Sequence, residues 1–280
     1  MNTPKTIHIA NLHPFEGHPY QVRDDAEMDA LMESIREHGI RTPLIVRPLE
    51  DAPNEYEVIS GHRRLHAAQK AGISEVPAFV HAVSRDEAAI QLVDSNLHRE
   101  RLLPSEKAYA YKLKLDAMNR QGQRTFSQVG KRLNSYEEMA EQTGDSRNQI
   151  HRYIRLTHLL PGLLTLVDEG RIAFTVGVEL SYLSHDEQCD LLDAISYADC
   201  TPSIPQAQEM RRLSQSGTLY PETMTAMLSQ PKPNQKERIS FKTEELRKFF
   251  PKDSSPEKMQ EIILKLLADY DRNRRRAYER

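Results

Sequence analysis

The stretch YEVISGHRRLHAAQKAGISEVPAFV, residues 56–80, decides the fold of the first part of the chain. Its first residues, 56–59, combine apolar and β-branched side chains and predict a strand, and a Ser-Gly pair then turns the chain. Residues 65–71 have a helical pattern that ends at Gly72, and residues 76–83 predict another strand. A strand, a helix and a strand in direct succession indicate an α/β unit.

The same alternation continues on both sides of this stretch. Apolar residues at helical spacing predict a helix over residues 25–39, and residues 44–47 predict a short strand. A further helix is expected over residues 86–96, whereas residues 1–22 look short and extended. We therefore expect a small α/β domain.

The pattern becomes helical after Leu103. A helix is predicted from Pro104 to Met118, with Ser105 as its N-cap, and residues 119–134 look like a loop or linker. Compact helices follow from Ser135 onwards. The predicted fold is α+β, with an α/β domain at 1–103, an all-helical domain at 104–216, a linker with one short helix at 217–238 and a small helical C-terminal unit at 239–280.

Composition narrows the class of protein. The 280 residues contain 28% charged and 38% hydrophobic side chains, and we find no run of about 18 apolar residues that would predict a membrane span. The N-terminal segment has no signal-peptide pattern, and two cysteines form neither a disulfide scaffold nor a zinc site. A cytoplasmic protein is expected. Because the net charge is −3, nucleic-acid binding requires locally segregated positive charge.

Residues 135–156, SYEEMAEQTGDSRNQIHRYIRL, have the spacing of a helix-turn-helix motif. Ser135 and Glu138 predict a capping box for the first helix, and Gly144 predicts the turn. Ala140 is small where two helices must approach each other.

The outward face of the second helix carries residues suited to DNA. Arg and Asn side chains pair with guanine and adenine edges, and Arg also contacts phosphate. No carboxylate occurs between Ser146 and Val167. Arg155 lies closer to the apolar seam, so it is either structural or a phosphate contact. The alternative is a generic helical hairpin with a charged face. The predicted DNA-binding residues are Ser146, Arg147, Asn148, His151 and Arg152.

A second candidate site lies at the start of the helix in the opening stretch. Gly61 allows a tight turn, the helix offers free N–H groups, and Arg63 and Arg64 add positive charge. Asn96 and Arg99, near the join between the two predicted domains, supply a metal or water ligand and a phosphate contact. The alternative is an ordinary solvated first turn. We find no nucleophile-base-acid constellation and no phosphate-binding loop motif.

Together these stretches resemble the ParB/Spo0J family of DNA-partition proteins, a type found on plasmids and mobile elements, from about Ile9 to about Ser214. The sequence GHRRLHA at 61–67 is similar to the family's GERRxRA box, and SNLHR at 95–99 is similar to its ENxxR box. The helix-turn-helix follows at the expected distance. Several matching blocks in the same order are more specific than any one of them.

The resemblance implies that the N-terminal domain binds CTP with Mg²⁺ and that the nucleotide closes a dimer as a clamp on DNA. It implies that Gly61, Arg63 and Arg64 hold phosphates. It also implies that Asn96 holds Mg²⁺ and that Arg99 contacts the triphosphate.

Two departures concern catalysis, since His62 and Ser95 replace the glutamates implicated in the family's CTP hydrolysis. They leave three alternatives open, namely hydrolysis, binding without hydrolysis, and no binding. The same fold occurs in sulfiredoxin, whose G-C-H-R loop binds ATP phosphates, and Ser60 to Arg63 resembles that loop without its cysteine. His62 is therefore a further candidate phosphate contact, and the base, CTP or ATP, stays open.

We expect a nucleotide-responsive, sequence-specific partition protein on the nucleoid or a plasmid, with double-stranded DNA, a second copy of itself and a partition ATPase as partners. The alternatives are a transcriptional repressor on the same scaffold and, from another class, a nucleotide-hydrolysing enzyme or nuclease.

An apolar stripe from Met259 to Tyr270 packs either on residues 239–250 or across a dimer interface.

Overall fold

In the computed structural model the chain divides into two compact units, residues 1–230 and residues 231–280. None of the helices in the described ranges is long and apolar enough to cross a membrane. The structure describes residues 3–97, 99, 102–124, 131–229, 249–250, 258–259, 262–263 and 265–266, without the side chains of 122–124 and 131–134.

The N-terminal part of the first unit is built on a mixed five-stranded sheet. Its strands are β1 (Lys5–His8), β2 (Leu12–Pro14), β3 (Leu44–Pro48), β4 (Tyr56–Ser60) and β5 (Glu75–Val80). Their spatial order is β1-β5-β3-β4-β2, with β3 antiparallel to β4 and parallel to β5. Strand β1 runs antiparallel to β5, and β2 runs parallel to β4. The predicted α/β character is therefore confirmed.

The two edge strands were not predicted from the sequence. Residues 1–22 were interpreted only as extended, yet they contain β1 and β2. These strands are four and three residues long, and only Ile7 and Leu12 are buried in them. So short a segment cannot display an alternating pattern, because the neighbouring strand rather than the local sequence specifies it.

Helices cover both faces of the sheet. Helices α1 (Ala26–His38) and α2 (His62–Lys70) pack on one face, and α3 (Arg85–Asp94) packs on the other together with α4 (Pro104–Arg124). Successive strand residues point to opposite faces, so Val58 joins the α1–α2 core and Ile59 joins the α3–α4 core.

The helical part begins with α4 and continues through seven further helices of the described chain. The largest apolar core lies among the helices from α7 onwards and the end of α6, with Leu163, Leu180 and Met210 fully buried. The helices are α5 (Lys131–Thr143), α6 (Arg147–Leu156), α7 (Pro161–Asp168), α8 (Phe174–Leu180), α9 (His185–Ala198), α10 (Ile204–Gln215) and α11 (Pro221–Ser229).

Three local predictions were wrong. Ser105 does not cap α4, because Asp168 accepts hydrogen bonds from the Ser105 backbone nitrogen and hydroxyl at 2.9 and 2.5 Å. Ser135 does not begin a helix, because α5 starts at Lys131. The predicted loop at 119–134 is helical at both ends, since α4 runs to Arg124.

The predicted linker at 217–238 contains the one short helix that the sequence indicated, but this helix packs into the helical core rather than lying outside it. Residues 221–229 form α11, whose Met224 and Leu228 are buried in the helical core against α9. The packing against α9 is a tertiary contact, which the local sequence does not reveal. The remaining residues from 230 onwards lie outside the described chain up to 248.

Only fragments of the predicted C-terminal unit are described. In the apolar stripe, Met259 is buried, whereas Ile262 is partly exposed and Leu266 is mostly exposed. Leu267, Tyr270 and the basic residues after it lie outside the described residues.

A buried ammonium joins three helices at the centre of the first unit. Lys114 on α4 is fully buried, and its Nζ lies 2.5 Å from Asp94 Oδ1 on α3 and 2.5 Å from Gln142 Oε1 on α5. A buried charge of this kind requires both partners, because an unpaired ammonium in a low-dielectric interior is strongly unfavourable.

Replacing Lys114 tests this arrangement. We expect Lys114→Ala to lower the free energy of unfolding by about 3 kcal/mol, since it leaves a cavity and removes both contacts. Lys114→Met fills the same space, and Asp94 is half exposed and can be hydrated, so a loss of about 1 kcal/mol or less is expected. Urea denaturation measures both. Arg36→Met, in the exposed pair with Glu33, is the control and should change stability little. Equal effects of the two Lys114 variants would contradict this account.

Candidate nucleotide cleft and nucleic-acid interface

Gly61 creates the turn from β4 into α2. Its backbone is left-handed, with φ 105° and ψ 20°, and no side chain caps the helix that follows. A Cβ atom at this position would lie 3.0 Å from Leu44 Cγ and 3.2 Å from Arg64 Nη2. Glycine is therefore required, and the first N–H groups of α2 remain available to an anion.

The start of α2 borders a cleft of about 280 Å³. The structure brings all six residues predicted for nucleotide binding to its wall, namely Gly61, His62, Arg63, Arg64, Asn96 and Arg99. The lining also includes Ser95. Among the described lining residues there are three arginines and no carboxylate. The charge of the cleft therefore favours an anionic ligand.

The two adjacent arginines occupy different environments. Arg64 donates through Nη1 to the carbonyl oxygens of Thr42 and Pro43, the latter at 2.8 Å, and its burial lowers the pKa of its guanidinium. Arg63 is more exposed and lies 3.5 Å from the carboxylates of Asp25 and Glu27 at the start of α1. Arg64 thus fixes the wall of the cleft. Arg63 can contact a ligand if it gives up its weak ion pairs with Asp25 and Glu27.

His62 is a neutral imidazole in the cleft. Its ring centroid lies 3.7 Å from that of His18, and its Nε2 accepts a hydrogen bond from the Phe15 backbone nitrogen at 3.4 Å. Burial, with smaller contributions from His18 and Arg99, lowers the pKa of His62 to about 3. Because Nε2 is an acceptor, the proton of the neutral ring is on Nδ1. His62 therefore cannot supply the negative charge of a carboxylate.

Asn96 and Arg99 form the opposite wall. Asn96 is buried and its Nδ2 donates to Leu92 O at 2.7 Å and to Ser95 Oγ at 3.1 Å, which leaves Oδ1 available as an acceptor or metal ligand. Arg99 is exposed, with its guanidinium 5.6 Å from the centre of the Tyr20 ring.

The donor set suits only a metal ion that arrives with its ligand. No group of three or more His, Cys, Asp or Glu side chains among the described residues could hold a metal by itself. Mg²⁺ in nucleotide sites keeps several waters and uses few protein ligands besides the phosphates. Asn96 Oδ1 fits such a role, with most of the coordination left to phosphate and water.

Sequence reasoning missed the wall formed by residues 18–22. His18, Tyr20, Gln21 and Val22 line the cleft, as does Leu31 of α1. The buried carboxylate of Glu106 holds this segment, since its Oε1 accepts from Gln21 N at 2.9 Å and its Oε2 from Leu103 N at 3.0 Å. Neither periodicity nor a motif marks these residues, and only the aromatic and imidazole side chains in a polar segment gave a weak signal.

The helix-turn-helix interpretation agrees with the geometry of α5 and α6. Gly144 has φ 74° in the turn, and Ser146 caps α6 by accepting from Gln149 N at 3.2 Å. Asp145 in the turn is tied to α4, since its Oδ2 lies 2.5 Å from Tyr111 OH and 2.6 Å from Lys107 Nζ. Burial alone would raise the pKa of Asp145, but Lys107 and Tyr111 lower it overall. The turn is thereby fixed to the long helix α4.

The two faces of α6 are clearly separated. Ile150 is fully buried, whereas Arg147, Asn148 and His151 are exposed. Arg152 is half-buried, with its guanidinium 5.1 Å from the centre of the Phe174 ring. Of the five predicted DNA contacts, Ser146 thus has a structural role as the N-cap, Arg152 is partly held by packing, and the other three face outward.

Arg155 has the structural role that the sequence left as one alternative. Its Nε donates to Ser181 Oγ at 3.1 Å and its Nη2 to Ser181 O at 2.6 Å. The guanidinium lies 4.1 Å from the centre of the Tyr182 ring. These contacts fasten the end of α6 to the segment after α8.

Residues 1–97 match the family model described as the ParB N-terminal domain. Over 193 residues the chain is 34% identical to the stage 0 sporulation protein J of Bacillus subtilis, covering 68% of this chain and 61% of that protein. Over 125 residues it is 38% identical to a nucleoid occlusion protein of Bacillus cereus, covering 45% of this chain and 42% of that protein. The chain thus spans about half the length of the curated relatives it matches.

One solved structure with a similar chain is the C-terminally truncated chromosome-partitioning protein ParB of Caulobacter crescentus in complex with its parS site. It is 22% identical, covers 74% of this chain and 98% of its own, and superposes with a TM-score of 0.42. From the family model and the curated relatives, the chain belongs to the ParB/Spo0J family of partition proteins, with its ParB N-terminal domain in residues 1–97.

Proposed function

We propose that this chain is a sequence-specific DNA-binding protein of DNA partition whose N-terminal cleft binds a nucleoside triphosphate. The observation that carries the DNA assignment is the exposed face of α6. It presents Arg147, Asn148 and His151, and no carboxylate occurs anywhere in α6. A helix-turn-helix whose second helix offers guanidinium, amide and imidazole groups matches the donors and acceptors of the major groove.

In this proposal α6 enters the major groove with its N-terminal end at the base edges. Arg147 suits guanine and Asn148 suits adenine, since each can make two hydrogen bonds to its base. The free N–H groups at the start of α6 and the side chain of Arg152 are placed for the flanking backbone. Ser146 contributes by capping α6 rather than by contacting bases.

For the cleft, we infer that the polyphosphate lies at the N-terminus of α2 and meets Arg63 and Arg99. Asn96 Oδ1 takes part in holding a Mg²⁺ ion that the phosphates carry. The metal would neutralise phosphate charge. Arg64 acts by fixing the Thr42–Pro43 segment that forms the wall. CTP is the nucleotide suggested by the family resemblance, and ATP is the competitor to be tested.

Turnover is a separate question from binding. A general base or water-positioning carboxylate is absent from the described lining residues, because His62 and Ser95 stand at the two acidic positions of the family boxes. A neutral imidazole with so low a pKa is a weak base at pH 7. We therefore propose binding with slow or no hydrolysis.

A role other than partition has a specific observation in its favour. A relative named as a nucleoid occlusion protein matches this chain at 38% identity over 125 residues, beside a probable chromosome-partitioning protein at 37% over 155 residues. A repressor on the same scaffold remains the other binding-module alternative. Mapping the bound sites in the genome distinguishes them: one cluster near the replication origin or on a plasmid supports partition, dispersed sites support occlusion, and promoter sites support repression.

The DNA assignment is tested by replacing Arg147. We expect Arg147→Ala to weaken binding to a duplex selected from a random pool by about tenfold to a hundredfold, and to reduce discrimination against a scrambled duplex. Fluorescence anisotropy with both duplexes measures the two effects. Arg85→Ala, an exposed arginine on α3, is the control and should leave both unchanged. Unchanged discrimination in Arg147→Ala would refute the role of α6 proposed above.

The nucleotide assignment is tested by replacing Arg99, which is exposed and outside the apolar cores. Calorimetric titration of CTP, with ATP alongside, should show saturable binding that Arg99→Ala weakens at least tenfold, because it removes a charge-assisted phosphate contact. Chelating Mg²⁺ should weaken binding as well. Arg36→Ala, far from the cleft lining, is the matched control. If neither nucleotide binds the intact protein, the cleft has no nucleotide role.

A further inference from the structure

The recognition face of α6 continues into a positively charged surface that the helix-turn-helix pattern does not include. Arg155 follows Asn148 by seven residues and His151 by four, spacings that place the three on one side of a helix. Beyond the end of α6 lies His158, whose environment includes Lys112 of α4. We call Lys112, Arg155 and His158 the basic surface.

The charge of the basic surface is not neutralised within the described part of the chain. Arg155 donates only to the hydroxyl and carbonyl of Ser181, which are neutral groups. Lys112 is exposed and makes neither a hydrogen bond nor an ion pair to any described residue. By contrast Arg211, which contacts the other side of the Tyr182 ring at 3.6 Å, is paired with Glu179 at 2.9 Å.

His158 lies in the electrostatic field of the same two cations. Burial, then Arg155 and Lys112, lowers the pKa of its imidazole, and no carboxylate acts in the other direction. The basic surface thus combines the guanidinium of Arg155, which is held by Ser181, with the unpaired ammonium of Lys112 and the imidazole of His158. Side chains of these types commonly contact phosphate oxygens. Because Ser181 and Tyr182 hold Arg155 in position, that group is oriented before any ligand arrives.

The spacing along α6 points to the backbone of the same duplex. Eight residues separate Arg147 from Arg155, which corresponds to about 12 Å along a helix. The major groove is also about 12 Å wide, so a helix that places Arg147 at base edges brings its other end to the phosphates at the groove border.

We propose that the basic surface grips the phosphate backbone of the duplex beside the bases that α6 contacts, and that it contributes affinity without sequence discrimination. This inference rests on the proposed DNA binding. An acidic segment of a partner protein is the competing occupant, and it predicts that DNA binding is indifferent to these residues.

Lys112→Gln is the variant of choice, because Lys112 is exposed and unpaired and its loss leaves the fold intact. Dissociation constants for a selected and a scrambled duplex are measured with the full chain over a series of salt concentrations. We expect Lys112→Gln to weaken both complexes by the same factor, a few-fold. The slope of log K against log salt should become less steep by about 0.9, the value for one phosphate contact. Lys5→Gln on β1 makes the same change of charge at another exposed lysine and should alter neither quantity.

The outcomes separate this inference from the function on which it rests. Suppose that Arg147→Ala loses discrimination between the two duplexes, while Lys112→Gln leaves the affinity for DNA and the salt slope unchanged. The inference about the basic surface is then wrong, and the proposed role of α6 stands. If Lys112→Gln changes the ratio between the two duplexes, the lysine contacts bases and the inference is wrong. If the wild-type chain binds no duplex, the proposed function fails and this inference fails with it.

Discussion

The buried ammonium of Lys114 is the constraint on which the arrangement of both candidate sites depends. Asp94, one of its partners, ends α3 immediately before Ser95 and Asn96 of the cleft. Gln142, the other partner, lies two residues before the glycine of the helix-turn-helix turn. A buried ammonium must keep its partners, so the end of α3 and the end of α5 are held at fixed positions on α4. The cleft and helix α6 are therefore placed by one charged group.

Helix α4 connects the two sites at further points. Near its start, Glu106 holds the segment that carries Gln21, a lining residue of the cleft. The next residue, Lys107, and Tyr111 about one turn later hold Asp145 in the turn before α6. These contacts are short, partly buried and charge-assisted, which makes them geometrically specific. An element that touches both sites over so short a length cannot shift at one of them without changing its contacts at the other.

The parts of the sites that could be predicted from sequence are those in which a local motif requires a particular residue. Gly61 follows a strand and opens a helix, and the structure shows why only glycine fits there. The glycine of the second turn and the apolar spacing of α6 are equally local, and Ile150 lies fully buried as that spacing requires. What could not be predicted depends on distant partners. Lys114, Glu106 and His18 look like ordinary polar residues until the elements around them are assembled, because their burial is a property of tertiary contacts rather than of the neighbouring sequence.

The contrast between Arg63 and Arg64 has a consequence for how the cleft meets a ligand. Adjacent arginines at a helix start suggest two equivalent phosphate contacts, yet Arg64 already donates to two carbonyl oxygens and Arg63 is paired with surface carboxylates at 3.5 Å. Displacing Arg64 would break hydrogen bonds to two carbonyl oxygens, whereas Arg63 would release only weak ion pairs at the surface. In the proposed nucleotide site we therefore expect a polyphosphate to contact Arg63 and the exposed Arg99, while Arg64 keeps the wall in place. With His62 neutral beside them, the positive charge that favours an anion in this cleft comes from groups that stay ionised, so binding does not require a proton to be taken up.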